Sequence, residues 1–516
     1  MTKVILASEA VRKIKSGQTI SVCGFVGSSI PEELLAALEK EYVTNHEPKD
    51  LTLIHSAAIG DGADSGVNRF AHDGFLKRII GGHFNLAPKL GKMISENKLE
   101  AYNWPQGTIA QWLRSISGRK PGLITKVGLD TFIDPRIEGG KLNDITQEDL
   151  IEVIQMDGEE YLWYKPLSVD VALLRGTTAD LHGNISTEHE AVKLELLSYA
   201  LAAKANKGLV IVQVERLVQN GTINPKNVVL PGIDVDYIVV ASNPAYQYQS
   251  YSTSYQPAYS GETRMPLSEI PAMPLNARKV IARRAAMELI PNAKVNLGIG
   301  IPEGVSNVAN EEGIGDVMTL TVEAGPIGGV PAGGGEFGAS ANAEAIVDHP
   351  YQFDFYDGGG LDIAYLGLAE TNKNGDLNVS KFKGRVAGCG GFINITQNTH
   401  KVVFCGTFTA KGLKEEIRDG RLVILQEGSI PKFLNKIDQI TFSGSYAQKH
   451  GQDVLYITER CVFKLGPQGL ILTEIAPGMD VERDILAHME FKPEISQDLK
   501  TMDSRIFMDE LMNLKI

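Results

Sequence analysis

The sequence predicts an α/β fold: two related open α/β domains, the C-terminal half carrying an added β-rich portion. Three observations predict it. Strand-like and helix-like stretches alternate along the chain. The same order of elements occurs twice. Toward the C-terminus the helical spacing gives way to β-rich runs separated by turn signals.

The first copy opens with helical spacing over residues 4–16 (Ala7, Val11, Ile14), and Gly17 is placed to stop the helix. TISVCG then reads as a strand, followed by a glycine turn and the helical IPEELLAAL, with Pro31 where a first helical turn tolerates it. The order returns as ARKVIARRAAMELI, AKVNLG and IGIPEGVSNVA, and Pro302-Glu303 echoes Pro31-Glu32. A second echo pairs DVALLRGTTADLHGNIS, from Asp170, with DIAYLGLAETNKNGDLNVS, from Asp362. Each reads as a strand, a polar stretch, a glycine turn and an extended exit. A third, weaker pair is GLVIVQVE and KVVFCGTF. Three echoes in one order point to two domains of common ancestry around largely parallel sheets.

A chain of 516 residues exceeds one ordinary hydrophobic core, which also calls for at least two domains. The expected division is 1–245, a linker over 246–272, and 273–516. The linker is marked by an abrupt shift to Tyr, Gln, Ser and Pro in PAYQYQSYSTSYQPAYSGETRMP. Its five tyrosines favour rings packed along a domain surface over a loose tether. An aromatic binding strip stays open on composition alone. Beyond the third echo, RLVILQ, QITFSG, VLYITERCVFKL and LILTEIA suggest an added antiparallel or mixed sheet, and the tail from about 480 returns to helical and polar patterning.

Bulk properties narrow the function. A net charge of −13 argues against an extended nucleic-acid footprint, though a local patch or backbone amides could still hold an anion. No apolar run reaches membrane-spanning length, and the opening MTKVILASEAVRKIKSG has too short an apolar stretch for a signal peptide. Cys23, Cys389, Cys405 and Cys461 include no close-spaced pair, which fits a reducing cytoplasm better than a disulfide framework or zinc, so no metal is expected. The 53 glycines cluster at 24–27, 298–300, 325–338, 358–360 and 388–391, as backbone amides lining a ligand site would require.

The common cofactor signatures are missing. There is no G-x-x-x-x-G-K-[ST], no G-x-G-x-x-G after a strand, and no G-x-S-x-G elbow. His189-Glu190 begins like a zinc-protease helix but lacks the second histidine. What remains is TLTVEAGPIGGVPAGGGEFG, where a β-rich run delivers Glu323 into glycine and small residues. Carboxyl ends of strands are where open α/β sheets present ligand-handling groups. A nucleophilic carboxylate needs such uncrowded surroundings. The same pattern fits a glutamate that caps the glycine loop by accepting backbone hydrogen bonds, and spacing leaves both open.

This segment resembles the glutamate–glycine motif of family I coenzyme A transferases. FDFYDGGGLDIAYLGLAETNKNGDLNVSKF and GRVAGCGGFINI resemble the family's next two glycine motifs. CGFVGSSIPEEL resembles its first-half glycine loop, and WPQGTIAQ its Pro-Gln-Gly-Thr motif. The likeness runs along the whole chain in the family's order, with the two family subunits fused. It is nearest the fused acetate or propionate branch and more distantly similar to succinyl-CoA:3-oxoacid CoA-transferase. The resemblance implies a CoA-transferase-like fold and reversible CoA transfer from a short-chain acyl-CoA to a carboxylate such as acetate. It assigns the nucleophile to Glu323, which would pass through an acyl–glutamyl anhydride and a glutamyl-CoA thioester. Gln106 and the Gly391 N–H would meet the oxyanions. Gly24 and Gly27 would line the acyl pocket, and Gly358, Gly359, Gly360, Gly388 and Gly390 would lie on the CoA side. Coenzyme A is then substrate and covalent intermediate, no cofactor is tightly bound, and a homotetramer or homodimer is expected.

Lys381, Lys383 and Arg385 form a basic cluster that reads as solvated surface more readily than as a contact for the CoA phosphates. Cys389 reads as a small packing residue, and Glu336 and Asp357 as structural carboxylates. A hydrolase on the same scaffold, with water replacing the acceptor acid, stays open. A CoA-sensing or sugar-phosphate-sensing module would call for a basic recognition helix that neither half shows. A citrate-lyase component is disfavoured by the presence of both complete halves. WPQGT and CGFVGSS carry no Arg or Lys, which favours short uncharged acids over dicarboxylates.

Overall fold

A computed structural model describes residues 3–266 and 272–516. The linker expected at 246–272 therefore lies in part, over 267–271, outside the described residues. The chain forms two compact units. The first takes the chain to Met265 together with Val322–Asp354 and Lys383–Asn394. The second comprises Phe355–Phe382, Ile395–Ile516 and the segment ending at Thr321. Two stretches of second-half sequence thus fold into the first unit.

The first unit is built on an 8-stranded sheet in the order Lys3–Val4, Tyr237–Val240, Leu209–Val214, Val171–Arg175, Thr19–Val22, Leu51–His55, Leu76–Gly81, Glu100–Asn103. Every pairing in it is parallel. Val171–Arg175 is buried along its whole length, as a central parallel strand covered on both faces must be. Helix Glu32–Asn45 covers one face with Leu34, Leu35 and Leu38, and the core beneath gathers Ile20, Val22, Leu53 and Val171. Helix Gln106–Ser117 is buried through Ile109, Trp112, Leu113 and Ile116.

The second unit carries the parallel order Asp453–Ile457, Lys401–Cys405, Ile363–Gly367, Ala293–Leu297, Met318–Thr321. Each echo read from the sequence occupies the same place in both sheets. Thr19–Val22 corresponds to Ala293–Leu297, Val171–Arg175 to Ile363–Gly367, and Leu209–Val214 to Lys401–Cys405. The chain is α/β, with the repeat built into strand order.

Three expectations need correction. The opening helix spans only Ala7–Val11, because Lys3–Val4 is drawn into the sheet edge beside Tyr237–Val240. The C-terminal β-rich runs do not form one added sheet. Cys461–Gly466 and Gly469–Ile475 extend the second unit's main sheet as an antiparallel hairpin, while Arg421–Gln426 pairs separately with Lys414–Arg418. QITFSG forms no strand beyond a single bridge at Phe442. The polar tail holds the strand Glu494–Thr501 beside Gly469–Ile475, and its polar composition suits a sheet edge. Among the described residues no helix is long and apolar enough to cross a membrane.

Of the linker tyrosines, Tyr251 donates to Glu32 (2.7 Å) and Tyr259 to Glu336 (2.7 Å), while Tyr255 lies 4.7 Å from the His189 ring, centroid to centroid. They dock along the first unit rather than hanging free.

Candidate active site

Glu323 sits in the first unit, just past the strand Met318–Thr321. The chain turns tightly there: Val322 N–H donates to Pro326 O and Gly325 N–H to Val322 O, both at 2.9 Å. Gly325 takes φ +122°, and a Cβ there would overlap the Val347 carbonyl, so only glycine fits. The turn leaves Glu323 half-buried.

Two groups meet it. Gln106, first residue of its helix, is held at its backbone by Gly390 O (2.9 Å) and brings its side-chain Nε2 to 3.3 Å from Glu323 Oε2. Gly391 directs its backbone N–H to the same carboxylate, and a Cβ on Gly391 would overlap Glu323 Oε2. Glu323, Gln106 and Gly391 are therefore brought together from three distant stretches of sequence. Burial is the main influence on Glu323 and raises its pKa to about 7; His349 and the Gly391 N–H pull it back only in part.

The loop carrying Gly391 is fastened to the first half. Cys389 N–H donates to Asn103 Oδ1 (2.9 Å), Gly390 N–H to Gly82 O (2.8 Å), and Phe84 N–H to Ala387 O (2.7 Å). Gly107 N–H donates to Asn394 Oδ1 (3.1 Å). Gly388 has φ +88°, and a Cβ there would come within 2.8 Å of His83 Cα, so Gly388 and Gly390 shape this loop. Burial pushes the Cys389 thiol up, and nearby Glu323 adds to this, which suits packing and not attack.

The other glycines have plainer places. A Cβ on Gly24 would press on Ile30, and one on Gly27 on the Tyr251 backbone. The loop they shape contributes a ring: Phe25 lies edge-on to His349 at 6.1 Å and 5.9 Å from Phe337. Gly359 and Gly360 close the helix His349–Asp357, donating to Tyr356 O (3.0 Å) and Phe355 O (2.9 Å). Gly358 to Gly360 belong to the second unit. Lys383 and Arg385, with Lys92, line a cleft of about 520 Å³ in the first unit, where Arg385 bonds Asn85.

Spacing alone missed a buried chain of polar groups behind Gln106. His349 Nε2 lies 2.9 Å from Gln106 Nε2, and His349 Nδ1 lies 2.6 Å from Glu195 Oε2. Ser56 Oγ bonds Glu195 Oε1, and Tyr199 OH accepts from Ser56 N–H at 3.2 Å. His349 and Tyr199 are fully buried. Burial alone would raise the Glu195 pKa, but His349, Ser56 and Tyr199 outweigh it, so the carboxyl is held below its ordinary value.

Residues 4–241 match the family described as Coenzyme A transferase. A caffeate CoA-transferase of Acetobacterium woodii is 47% identical over 99% of this chain and 98% of its own length. The chain belongs to the coenzyme A transferase family. The acetate CoA-transferase YdiF of Escherichia coli is 44% identical to this CoA-transferase over 99% of the chain and 96% of its own length. A solved acyl-CoA transferase from Escherichia coli O157:H7, described as a thioester complex with CoA, superposes with a TM-score of 0.94 at 43% identity, covering 100% of this chain and 98% of that one. A mouse mitochondrial succinyl-CoA:3-ketoacid coenzyme A transferase 2B is more distant, at 26% identity over 96% of this chain and 90% of its own length. CoA transfer between an acyl-CoA and a carboxylate is the activity these relationships support, on a mixed α/β scaffold with large parallel sheets.

Proposed function

We propose that this CoA-transferase works through covalent catalysis on Glu323, with Gln106 and Gly391 as oxyanion donors. The observation that carries the proposal is the bracketing of one half-buried carboxylate by a side-chain N–H and a backbone N–H.

In the first step a Glu323 oxygen attacks the carbonyl of the donor acyl-CoA, the C–S bond breaks, and an acyl–glutamyl anhydride and CoA thiolate result. The thiolate then attacks the glutamyl carbonyl. The bridging oxygen leaves with the acyl group as the free acid, and glutamyl-CoA thioester remains. An acceptor carboxylate attacks that thioester and runs both steps in reverse, so thioester energy passes between acids. Each tetrahedral intermediate places negative charge where Gln106 and Gly391 can donate. Preplaced donors of this kind are worth about 10²–10³ in rate each. A carboxylate raised toward neutrality by burial is a stronger nucleophile than a solvated one, provided it is deprotonated.

The substrates we assign are short uncharged acids such as acetate, propionate or butyrate, on two grounds: the absence of Arg and Lys from the Gly24 and Gln106 motifs, and the acetate-using relative. The caffeate-using relative supports a larger acyl group as the second reading. A panel of acetate, propionate, butyrate, caffeate and succinate separates them, and a preference for succinate would sink both.

Oxygen tracing tests the chemistry. With ¹⁸O in the acceptor carboxylate, the label must pass to Glu323 and then into the acid released from the next donor. With ¹⁸O only in water, the released acid should stay unlabelled. Label arriving from water would instead identify a hydrolase. The same reading takes 1–245 and 273–516 as the fused counterparts of two subunits, and takes the active form as a homo-oligomer; the mass of the native protein in solution tests the latter.

A further inference from the structure

We propose that Glu195 and His349 are positioning residues that hold the Gln106 carboxamide with its nitrogen toward Glu323. This rests on the donor role of Gln106 proposed above.

A glutamine amide has two faces of opposite character, and rotating it by half a turn exchanges a donor for an acceptor at nearly the same point. A donor role therefore needs something to fix that rotation. Glu323 alone cannot, because its charge changes through the reaction. The fixed element is His349. Glu195 is a carboxylate held by Ser56 on one oxygen, so its other oxygen only accepts, and His349 Nδ1 must carry the proton it donates across 2.6 Å. When Nδ1 carries the ring's single proton, Nε2 has a lone pair, and the group 2.9 Å away must donate. Gln106 Nε2 meets that requirement with one N–H and offers the other to Glu323 at 3.3 Å. Turned around, the amide would set its oxygen against the His349 lone pair and the Glu323 carboxylate together.

The surroundings keep this arrangement rigid. His349 is fully buried, edge-on to Phe25 at 6.1 Å and at 65° to Phe353 at 5.1 Å. Glu195 and Ser56 are also buried. A Cβ on Gly107, next to Gln106, would overlap the Phe353 ring, so the helix start and the residue four beyond His349 are in close contact. Burying a histidine–carboxylate pair costs desolvation that an apolar pair would not. Its place behind an oxyanion donor fits a positioning task better than a packing one.

A double-mutant cycle on the full-length protein tests this, read as kcat and KM for acetyl-CoA with propionate as acceptor. Gln106→Ala alone should lower kcat by about 10²–10³. His349→Phe keeps a ring but no acceptor. It should lower kcat by about 10–100-fold, the scale of a misplaced group, while KM moves by no more than about twofold. His349→Gln restores an acceptor near the Nε2 position and should recover about tenfold of that loss. The decisive comparison is Gln106→Ala with His349→Phe, which should be no slower than Gln106→Ala alone, within about twofold. Multiplying losses in the double variant, or equal rates for His349→Phe and His349→Gln, would overturn the positioning role. A wild-type rate in Gln106→Ala would overturn the donor role itself and the positioning role with it, so the two failures are told apart. If His349→Phe does not fold, Glu195→Gln carries the same cycle: a kcat loss that vanishes in the Gln106→Ala background supports the proposal, and one that persists overturns it.

Discussion

The two halves share a strand order and part company at one strand end. In the first half Leu51–His55 runs beside Thr19–Val22 and leads into Ser56, whose hydroxyl bonds Glu195. His55 just before it is buried, which lowers its pKa to about 4, and it is pinned to Ala57 O at 2.7 Å. In the second half Met318–Thr321 runs beside Ala293–Leu297 in the corresponding place and leads into Glu323. One strand end therefore delivers the carboxylate, and its counterpart anchors the chain of groups behind Gln106. The candidate site draws on both halves: Glu323, His349 and Gly391 come from the second half of the sequence, and Gln106, Ser56 and Glu195 from the first. Carboxyl ends of strands are where open α/β sheets generally present ligand-handling groups.

The largest expected effect breaks that comparison directly. Glu323→Ala should lower turnover by about 10⁴-fold or more, the scale for removing a covalent nucleophile. Ser56→Ala, at the equivalent strand end, should lower it by only about tenfold, the scale of one ordinary hydrogen bond. Steady-state rates of the two variants side by side decide this, and similar losses would mean the two ends do not differ in role.

Gly391→Ala is next. Its Cβ would overlap Glu323 Oε2, so a loss of about 10²–10³ in kcat is expected from a displaced carboxylate and a weakened donor. Circular dichroism should confirm an intact fold, because the clash falls on one side chain.

The pH profile sharpens the assignment of the carboxylate. Burial raises the Glu323 pKa to about 7, and in the proposed mechanism only the deprotonated form attacks. The rate of the first half-reaction should fall about tenfold per pH unit below that value and level off above it. Glu323→Ala should lose this limb, whereas Ser56→Ala should keep it.

The smallest effect is on stability. Glu323 has a folded pKa of about 7 against an ordinary value of 4.5. Between these values the folded protein holds a proton the unfolded chain has released, so this group's contribution falls as pH rises through the window and is lowest above pH 7. Glu323→Gln removes the buried charge and should be more stable than the wild type by up to about 3 kcal/mol above pH 7, with little difference below pH 4. Urea melts at the two pH values measure it.

Much of the architecture was legible because it repeats. Pro302-Glu303 after a glycine turn, like Pro31-Glu32, marked the first strand and helix of each copy, and the sheets place both strands alike. Glu323 was legible because a β-rich run ending in Glu-Ala-Gly is a local pattern. Gln106 and Gly391 were legible only through the family motifs, since neither residue type at its position implies chemistry. His349 and Glu195 were not legible at all. They lie 154 residues apart, and neither belongs to a motif that the sequence displays. Such a pair exists only once the fold closes, and no local periodicity encodes it. The tail strand Glu494–Thr501 was not legible for a different reason: as an edge strand it is polar and lacks the apolar alternation that signals a half-buried one.

The central claim is that Glu323 forms a thioester with coenzyme A. Intact-mass spectrometry of the protein mixed with acetyl-CoA alone, beside Glu323→Ala, tests it most directly. A CoA-sized increment on the wild type, absent from the variant and discharged by added acetate or propionate, is the predicted result. No increment on the folded wild type, or an equal increment on Glu323→Ala, would contradict it.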